Sequence, residues 1–221
     1  MDKMEALNVR ELKPYFRFAV LPLTATEPLS VRRLSVGYHY PLLSDLDFSV
    51  TGGQKVVITG FNGIGKSTLL KTLLGQIPAQ NGSYSFSQQV KIGYFEQDLH
   101  WPDNLFTPVQ IVSDAYPDLT VKEIRKRLSL CGITSKHAAR AIGTLSGGEQ
   151  AKVKLCLLTL TPCNFLILDE PTNHLDLQAK ASLKTALSDF PGSILLVSHE
   201  EAFYSGLVHK TIDIEKIIKK K

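Results

Sequence analysis

The sequence has few cysteines and no long run of apolar residues. Its three cysteines, Cys131, Cys156 and Cys163, are an odd number at spacings that fit neither a zinc site nor a redox motif, so we expect buried, reduced thiols. No apolar run approaches the roughly 20 residues that span a bilayer. The start, MDKMEALNVRELKP, is charged where a signal peptide would be apolar. These absences argue against a transmembrane segment, and we expect a cytoplasmic protein.

Composition and length are those of a globular domain. Of the 221 residues, 43% are hydrophobic and 21% are charged, which is close to the average of folded proteins. The length fits one large α/β domain, or one domain with a small lobe. A net charge of +4 is compatible with a nucleic-acid partner but does not argue for one.

The first half of the chain divides into a leader and a β-rich part. Residues 1–14 resemble the end of a charged helix that Pro14 closes, and we expect them to belong to an inter-domain linker. The remainder, 15–221, is predicted to be one domain. Within it, β-rich segments at 16–21, 31–38 and 45–50 predict a small antiparallel lobe over about residues 16–50.

The rest of the domain alternates strands with helices. We predict strands at 55–59, 165–168 and 193–197, and helices at 66–74, 147–160 and 177–190. Between these parts, about residues 100–145 have helical spacing broken by proline and glycine, which predicts a helical lobe. Alternating strands and helices indicate an α/β fold with a mostly parallel sheet.

One loop carries a phosphate-binding pattern. GFNGIGKST, residues 60–68, has glycine, four residues, glycine, lysine and then serine, and it lies between a predicted strand and a predicted helix. In such a P-loop NTPase core, backbone N–H groups surround the phosphates of a nucleotide. Lys66 would contact the β- and γ-phosphates, and Ser67 would offer its hydroxyl to Mg²⁺. The phosphate-binding candidates are Gly60, Asn62, Gly63, Gly65, Lys66, Ser67 and Thr68.

A second motif places two carboxylates at the end of a buried strand. FLILDE, residues 165–170, is apolar until Asp169 and Glu170, and ligands of α/β sheets bind beyond the carboxyl ends of strands. Asp169 is the candidate for holding Mg²⁺ through water. Glu170 is the candidate general base that accepts a proton from the attacking water.

The segment LSGGEQ, residues 145–150, resembles the signature motif of ATP-binding cassette (ABC) proteins. The resemblance covers the chain from about Val31 onward, with the motifs in the family's order. It implies that two cassettes face each other head to tail, and that the signature of each covers the ATP on the other's phosphate loop. Ser146, Gly147 and Gly148 would then bind a γ-phosphate.

The resemblance also implies roles for isolated residues. Gln97 matches the glutamine that touches Mg²⁺ and the attacking water, and His199 matches the histidine that binds the γ-phosphate. Asp176 matches a loop that couples the two sites. Tyr38 matches the aromatic residue that stacks on adenine, with Tyr40 as the alternative. The predicted catalytic residues are therefore Glu170, His199 and Gln97, and the predicted metal contacts are Ser67, Gln97 and Asp169.

The combination of LSGGEQAKVKL, DEPTNHLD and LLVSHE is similar to the F subfamily (ABC-F), whose soluble twin-cassette members act on the ribosome as translation factors or in protection from antibiotics. The leader resembles the linker that joins two such cassettes. We therefore expect the C-terminal cassette of a longer protein, with ATP and Mg²⁺ as cofactors, and a second cassette and the ribosome as partners. The alternatives are the ATPase subunit of a membrane transporter and a degenerate, nucleotide-gated interaction module.

Overall fold

The structure is a computed structural model that describes residues 13–219, without the side chains of 218 and 219. The linker helix predicted over residues 1–14 lies outside this range, apart from Lys13 and Pro14. The strands are β1 Leu29–Gly37, β2 Pro41–Val50, β3 Lys55–Thr59, β4 Asn81–Phe86, β5 Ile92–Phe95, β6 Phe165–Asp169, β7 Ser193–Val197 and β8 Lys210–Asp213. The α-helices are α1 Lys66–Leu73, α2 Pro108–Ala115, α3 Val121–Leu130, α4 Ser135–Ala138, α5 Gly147–Leu160, α6 Leu177–Asp189, α7 Glu201–Tyr204 and α8 Ile214–Lys219.

A five-stranded parallel sheet forms the centre, in the order β5-β6-β7-β3-β8. Strands β6 and β7 are buried along their whole length, as expected of a parallel sheet covered on both faces. Alternate residues face opposite sides: Ile167 packs in one core cluster, and its neighbour Leu168 packs in the other. All the strands run in the same direction, so the loops after β3, β5, β6 and β7 leave from one edge of the sheet.

A smaller antiparallel sheet, in the order β2-β1-β4, packs on one face of the centre. The ring of Phe86 in β4 meets Phe165 in β6 edge-on, with 5.5 Å between the ring centroids. The α/β class, with a parallel sheet, a small antiparallel sheet and helices, is therefore confirmed. No helix in the stretch from residue 13 to residue 219 is long and apolar enough to cross a membrane.

The strand predicted at residues 16–21 is wrong. This segment forms only one bridge, between Val20 and Cys163, and the third strand of the small sheet is β4 instead. The alternation of Phe16 and Phe18, which resembles a strand, arises because both rings are buried in the core. The backbone beside them bonds to a helix end and to loops, as in the bond from Tyr15 N–H to the carbonyl of Leu130 (2.7 Å).

The helical part, α2 to α4, has strong local start signals. Thr107, Thr120 and Thr134 cap the three helices with their side chains, and the first two form complete capping boxes with Gln110 and Glu123. Such caps satisfy N–H groups that a helix start leaves without partners.

Candidate functional site

The loop between β3 and α1 has the backbone of a phosphate-binding turn. Gly60, Gly63 and Gly65 have positive φ angles of 149°, 84° and 111°, a region that side chains with a Cβ disfavour. A Cβ at Gly65 would also lie 3.1 Å from Cγ of Leu43. Gly65 caps α1 without a side-chain bond. The first N–H groups of α1 are thus left to an external acceptor, and the helix dipole favours an anion there.

Lys66 projects its ammonium group over this loop. The side chain is buried, and Nζ donates hydrogen bonds to the carbonyls of Gly60 (2.6 Å) and Phe61 (3.1 Å). These bonds place the positive charge above the turn that begins the helix, so the loop presents a cation together with backbone donors.

Asp169 ends β6 as a deeply buried carboxylate. Its residue exposure is 1%, and its Oδ1 has no hydrogen-bond partner among residues 13–219. Burial raises the pKa of Asp169, a hydrogen bond with Ser67 lowers it, and the charge of Glu170 raises it again, so that the pKa lies above its ordinary value of 3.8. A buried carboxylate oxygen without a donor suits a cation.

Glu170 lies next to Asp169 in an unusual backbone conformation. Its φ is 47°, in the left-handed region that a residue with a Cβ rarely adopts. Its exposure is 5%, and its Oε2 lies 2.9 Å from Nδ1 of His199, which follows β7. Two neighbouring strands thus bring the predicted base and the predicted histidine into contact.

Most of the predicted site residues line one pocket of about 280 Å³, whereas Gly60 and His199 are not in its lining. Its lining consists of Asn62, Gly63, Gly65, Lys66, Ser67, Thr68, Gln97, Asp169 and Glu170. The hydroxyl oxygen of Ser67 also lies 3.4 Å from Oε1 of Gln97, which brings the loop after β5 to the helix start. The structure therefore brings together the phosphate-loop, carboxylate and glutamine residues that were singled out in separate motifs.

The oxygens of the pocket fit a magnesium ion held together with a nucleotide. Asp169, Ser67 and Gln97 supply a carboxylate, a hydroxyl and an amide oxygen, the donors that Mg²⁺ prefers. No group of three or more His, Cys, Asp or Glu side chains within the described part of the chain could hold a metal ion. A magnesium ion at this place would need phosphate oxygens as further ligands, as is common for nucleotide-bound Mg²⁺.

The signature residues lie away from this pocket. Ser146 caps α5 and forms a capping box with Glu149, but Ser146, Gly147 and Gly148 do not line the pocket of their own chain. The N–H groups at the start of α5 are a second potential anion-binding site.

Tyr38 lies in the turn between β1 and β2 and is 61% exposed. Together with His39, Tyr40 and Leu42 it lines a mostly apolar cavity of about 360 Å³. Leu42 in turn lies beside the phosphate loop. A Cβ added at Gly65 would be 3.3 Å from the Cβ of Leu42. The two tyrosines are therefore at the end of the phosphate loop, outside the pocket.

A larger cavity, of about 530 Å³, lies between the segment of residues 15–20 and α6. It contains none of the predicted site residues. Its walls include the rings of Phe16, Phe18 and Phe190. Arg17 and Asp189 also line it, but no glycine loop at a helix start borders it. The candidate site is therefore the smaller pocket, which the residues of the sequence motifs line.

Contacts on α5 were missed by reasoning from the sequence. Nζ of Lys152 lies 2.6 Å from Oδ2 of Asp176, and Nε1 of Trp101 donates to Oε1 of Gln150 (2.8 Å). No local pattern indicates such pairs, because each joins residues that are distant in the sequence.

Comparison with known proteins identifies the family. The family model described as ABC transporter matches residues 43–173. The chain belongs to this family. ABC proteins bind and hydrolyse ATP, and their cassettes work with a second cassette, so the pocket at the phosphate loop is the expected nucleotide site.

Several relatives of this ABC cassette are themselves ABC proteins. The chain is 42% identical to the uncharacterized ABC transporter ATP-binding protein YfmM of Bacillus subtilis (strain 168), over 97% of this chain and 42% of the relative. It is 32% identical to ABC transporter F family member 2 of Arabidopsis thaliana, over 96% of this chain and 33% of the relative. The chain thus spans less than half the length of these relatives.

The fold is also found in solved structures. A putative ABC transporter (ATP-binding protein) from Pyrococcus furiosus has a TM-score of 0.70 and 23% identity, over 85% of this chain and 98% of that one. At this identity the similarity shows the fold of the cassette.

Proposed function

We propose that this cassette holds Mg-ATP in the phosphate-loop pocket and hydrolyses it as one half of an F-type twin-cassette protein that acts on the ribosome. The observation that carries the ATPase part is the shared pocket, in which Lys66, Ser67, Gln97, Asp169 and Glu170 all line one cavity. A cation, a helix start and two carboxylates at one place are the parts that phosphoryl transfer requires.

Residues in and beside the pocket have separate tasks in this proposal. Lys66 and the N–H groups of the phosphate loop bind the β- and γ-phosphates, while Tyr38 stacks on the adenine ring. Asp169, Ser67 and Gln97 would hold the magnesium ion, which supplies electrostatic stabilisation of the phosphates when bound. Glu170 accepts a proton from the attacking water, and hydrolysis releases ADP and phosphate.

His199 lies against the proposed general base. Its Nδ1 lies 2.9 Å from Oε2 of Glu170, and its side chain is half exposed. We propose that it contacts the γ-phosphate when ATP is bound. This arrangement positions the general base before the reaction begins.

The second cassette supplies the missing donors. Because Ser146, Gly147 and Gly148 do not line their own pocket, we propose that they face the γ-phosphate of ATP bound to the partner cassette. The capped start of α5 presents N–H groups for this purpose. Hydrolysis then requires both cassettes.

The ribosome is proposed as the target because of the F-type relationship. The similarity to F family member 2 extends over 96% of this chain, and the segments LSGGEQ and NHLD are similar to those of the F subfamily. The described residues contribute no membrane-spanning helix. An ATPase subunit of a membrane transporter is the alternative.

Co-sedimentation decides between these two targets. In the presence of ATP, the full-length protein with Glu170→Gln is expected to sediment with ribosomes, since this variant is expected to bind ATP without hydrolysing it. Lys66→Ala in the same protein is the control that lacks the phosphate-binding cation. Enrichment no greater than that of the control would contradict a role on the ribosome, and enrichment with membranes would favour transport.

A further inference from the structure

The start of α5 packs directly against the loop that follows β6. His174 in this loop has a φ of 66°, and its carbonyl oxygen is so close to α5 that a Cβ at Gly148 would lie 2.5 Å from it. At Gly147 a Cβ would lie 3.3 Å from Cγ of the His174 ring. The two glycines therefore have a role within their own chain, because they allow this loop to lie on the signature turn, residues 145–148.

An ion pair joins the same two elements one helical turn further along. Nζ of Lys152 in α5 lies 2.6 Å from Oδ2 of Asp176. The other oxygen of this carboxylate, Oδ1, accepts a hydrogen bond from the N–H of Ala179 (2.8 Å) and caps α6. One carboxylate thus connects α5, α6 and the loop between β6 and α6.

The environment of Asp176 keeps its carboxyl group ionised. Burial raises the pKa of Asp176, but the hydrogen bonds from Lys152 and from the N–H of Ala179 lower it more, and the net shift is downward. The side chain of Asp176 is 53% exposed, and ion pairs exposed to this extent add little to folding stability. The ion pair between Lys152 and Asp176 is therefore better explained by a role in positioning α5 against the loop after β6 than by a contribution to folding stability.

We propose that Lys152 and Asp176 are positioning residues that lock the signature turn to the loop of residues 172–176, so that the cassette presents both to a second cassette as one rigid unit. This inference rests on the proposed function, because the ATP that the signature turn would cover is bound by the other cassette. In this arrangement a shift of one element at the interface moves the other with it.

A double-mutant cycle in the full-length protein tests the proposal. The variants are Lys152→Met, Asp176→Asn and the two combined. Met keeps the length and apolar stem of the lysine, and Asn keeps an oxygen that can cap α6. We expect each single variant to lower kcat for ATP about tenfold, because misplacement of a positioned group slows the reaction, while the affinity for ATP changes less than about twofold.

The combined variant distinguishes a coupled pair from two separate effects. Because both substitutions break the same contact, the kcat of the combined variant is expected to equal that of the less active single variant within about twofold. Lys152→Arg, which keeps the charge and the reach, is expected to retain most of the activity. Lys184→Met is the matched control, since its Nζ donates to the carbonyls of Ala202 and Ser205 at a helix end, away from the signature turn.

Two results would overturn the proposal: a kcat for Lys152→Met within twofold of the wild type, or losses that multiply in the combined variant. If Lys152→Met does not fold, Asp176→Asn decides alone, with an unchanged kcat counting against the pair. Failure of the proposed function has a different signature. Glu170→Gln would then hydrolyse ATP as fast as the wild type, whatever the cycle shows.

Discussion

At the scale of single residues, the buried carboxylate of Asp169 combines a function with a cost in stability. Its Oδ1 lacks a hydrogen-bond partner within residues 13–219, and burial raises its pKa above 3.8. Although Ser67 bonds to this carboxylate, burying a charged oxygen that has no donor of its own is unfavourable. A cation held at this place would offset the unfavourable burial of the charge. The carboxylate of Asp169 is therefore better suited to the protein with a bound cation than to the protein without one.

We predict that Asp169→Asn stabilises the free protein and abolishes Mg-dependent hydrolysis. Without nucleotide and with a chelator present, the free energy of unfolding at neutral pH is expected to rise by about 1–2 kcal/mol, because a buried charge is removed. Turnover of ATP is expected to fall by about 100-fold or more, since the magnesium contact is lost. Chemical denaturation and a phosphate-release assay measure the two effects.

The pH dependence of this stability difference gives a second check. With a raised native pKa, Asp169 holds a proton in the folded state that the unfolded chain has already released. The free energy of unfolding of the wild type therefore falls, relative to Asp169→Asn, as the pH rises from about 3.8 through the raised native pKa. The exposed Asp118→Asn is the control, and a stability difference that does not change with pH would contradict this account.

At the scale of secondary-structure elements, Asn164 joins three segments just before β6. Its side chain is buried; Oδ1 accepts from the N–H of Lys91 (2.8 Å), and Nδ2 donates to the carbonyls of Pro22 and Gln89 (both 2.9 Å). The start of β5, the start of β6 and the N-terminal segment are thereby fixed together at the edge of the sheet opposite to the pocket.

We predict that Asn164→Ala lowers the free energy of unfolding by about 3 kcal/mol, because three hydrogen bonds are lost and buried backbone groups are left without partners. Urea denaturation measures the change, with the exposed Asn104→Ala as the matched control. A loss below about 1 kcal/mol would mean that water replaces the asparagine at this junction.

The elements next to the site could be predicted well from the sequence. Strand β7, Ser193–Val197, and helix α5, Gly147–Leu160, have the predicted bounds, because continuous apolar runs and a capping serine define them locally. The strand β4, Asn81–Phe86, was not predicted. It is short and mostly exposed, and its pairing with β1 depends on a distant partner.

The same distinction applies to the candidate site. The phosphate loop and Asp169 could be expected at one edge of the sheet from the sequence, because parallel strands bring their carboxyl ends together. Gln97 was expected there only because of the family resemblance, since the strand before it, β5, was not predicted. The contact of Lys152 with Asp176 could not, since it depends on how closely α5 approaches the loop after β6.

At the scale of the whole molecule, the cassette presents two surfaces for phosphate that do not meet within one chain. The phosphate-loop pocket lies at the carboxyl edge of the parallel sheet, while the signature turn starts α5 and does not line that pocket. A head-to-tail pair of cassettes would bring the two surfaces together. The proposed need for a second cassette follows from this separation.

Equilibrium binding of Mg-ATP to the wild type, Lys66→Ala and Glu170→Gln tests the central claim most directly. We expect Lys66→Ala to lower the affinity by about 100-fold or more, because it removes the cation above the phosphate loop. Glu170→Gln is expected to bind like the wild type while its turnover stops, and Lys122→Ala, an exposed lysine of α3, is the control. Equal affinity of Lys66→Ala and the wild type would contradict the assignment of the phosphate-loop pocket.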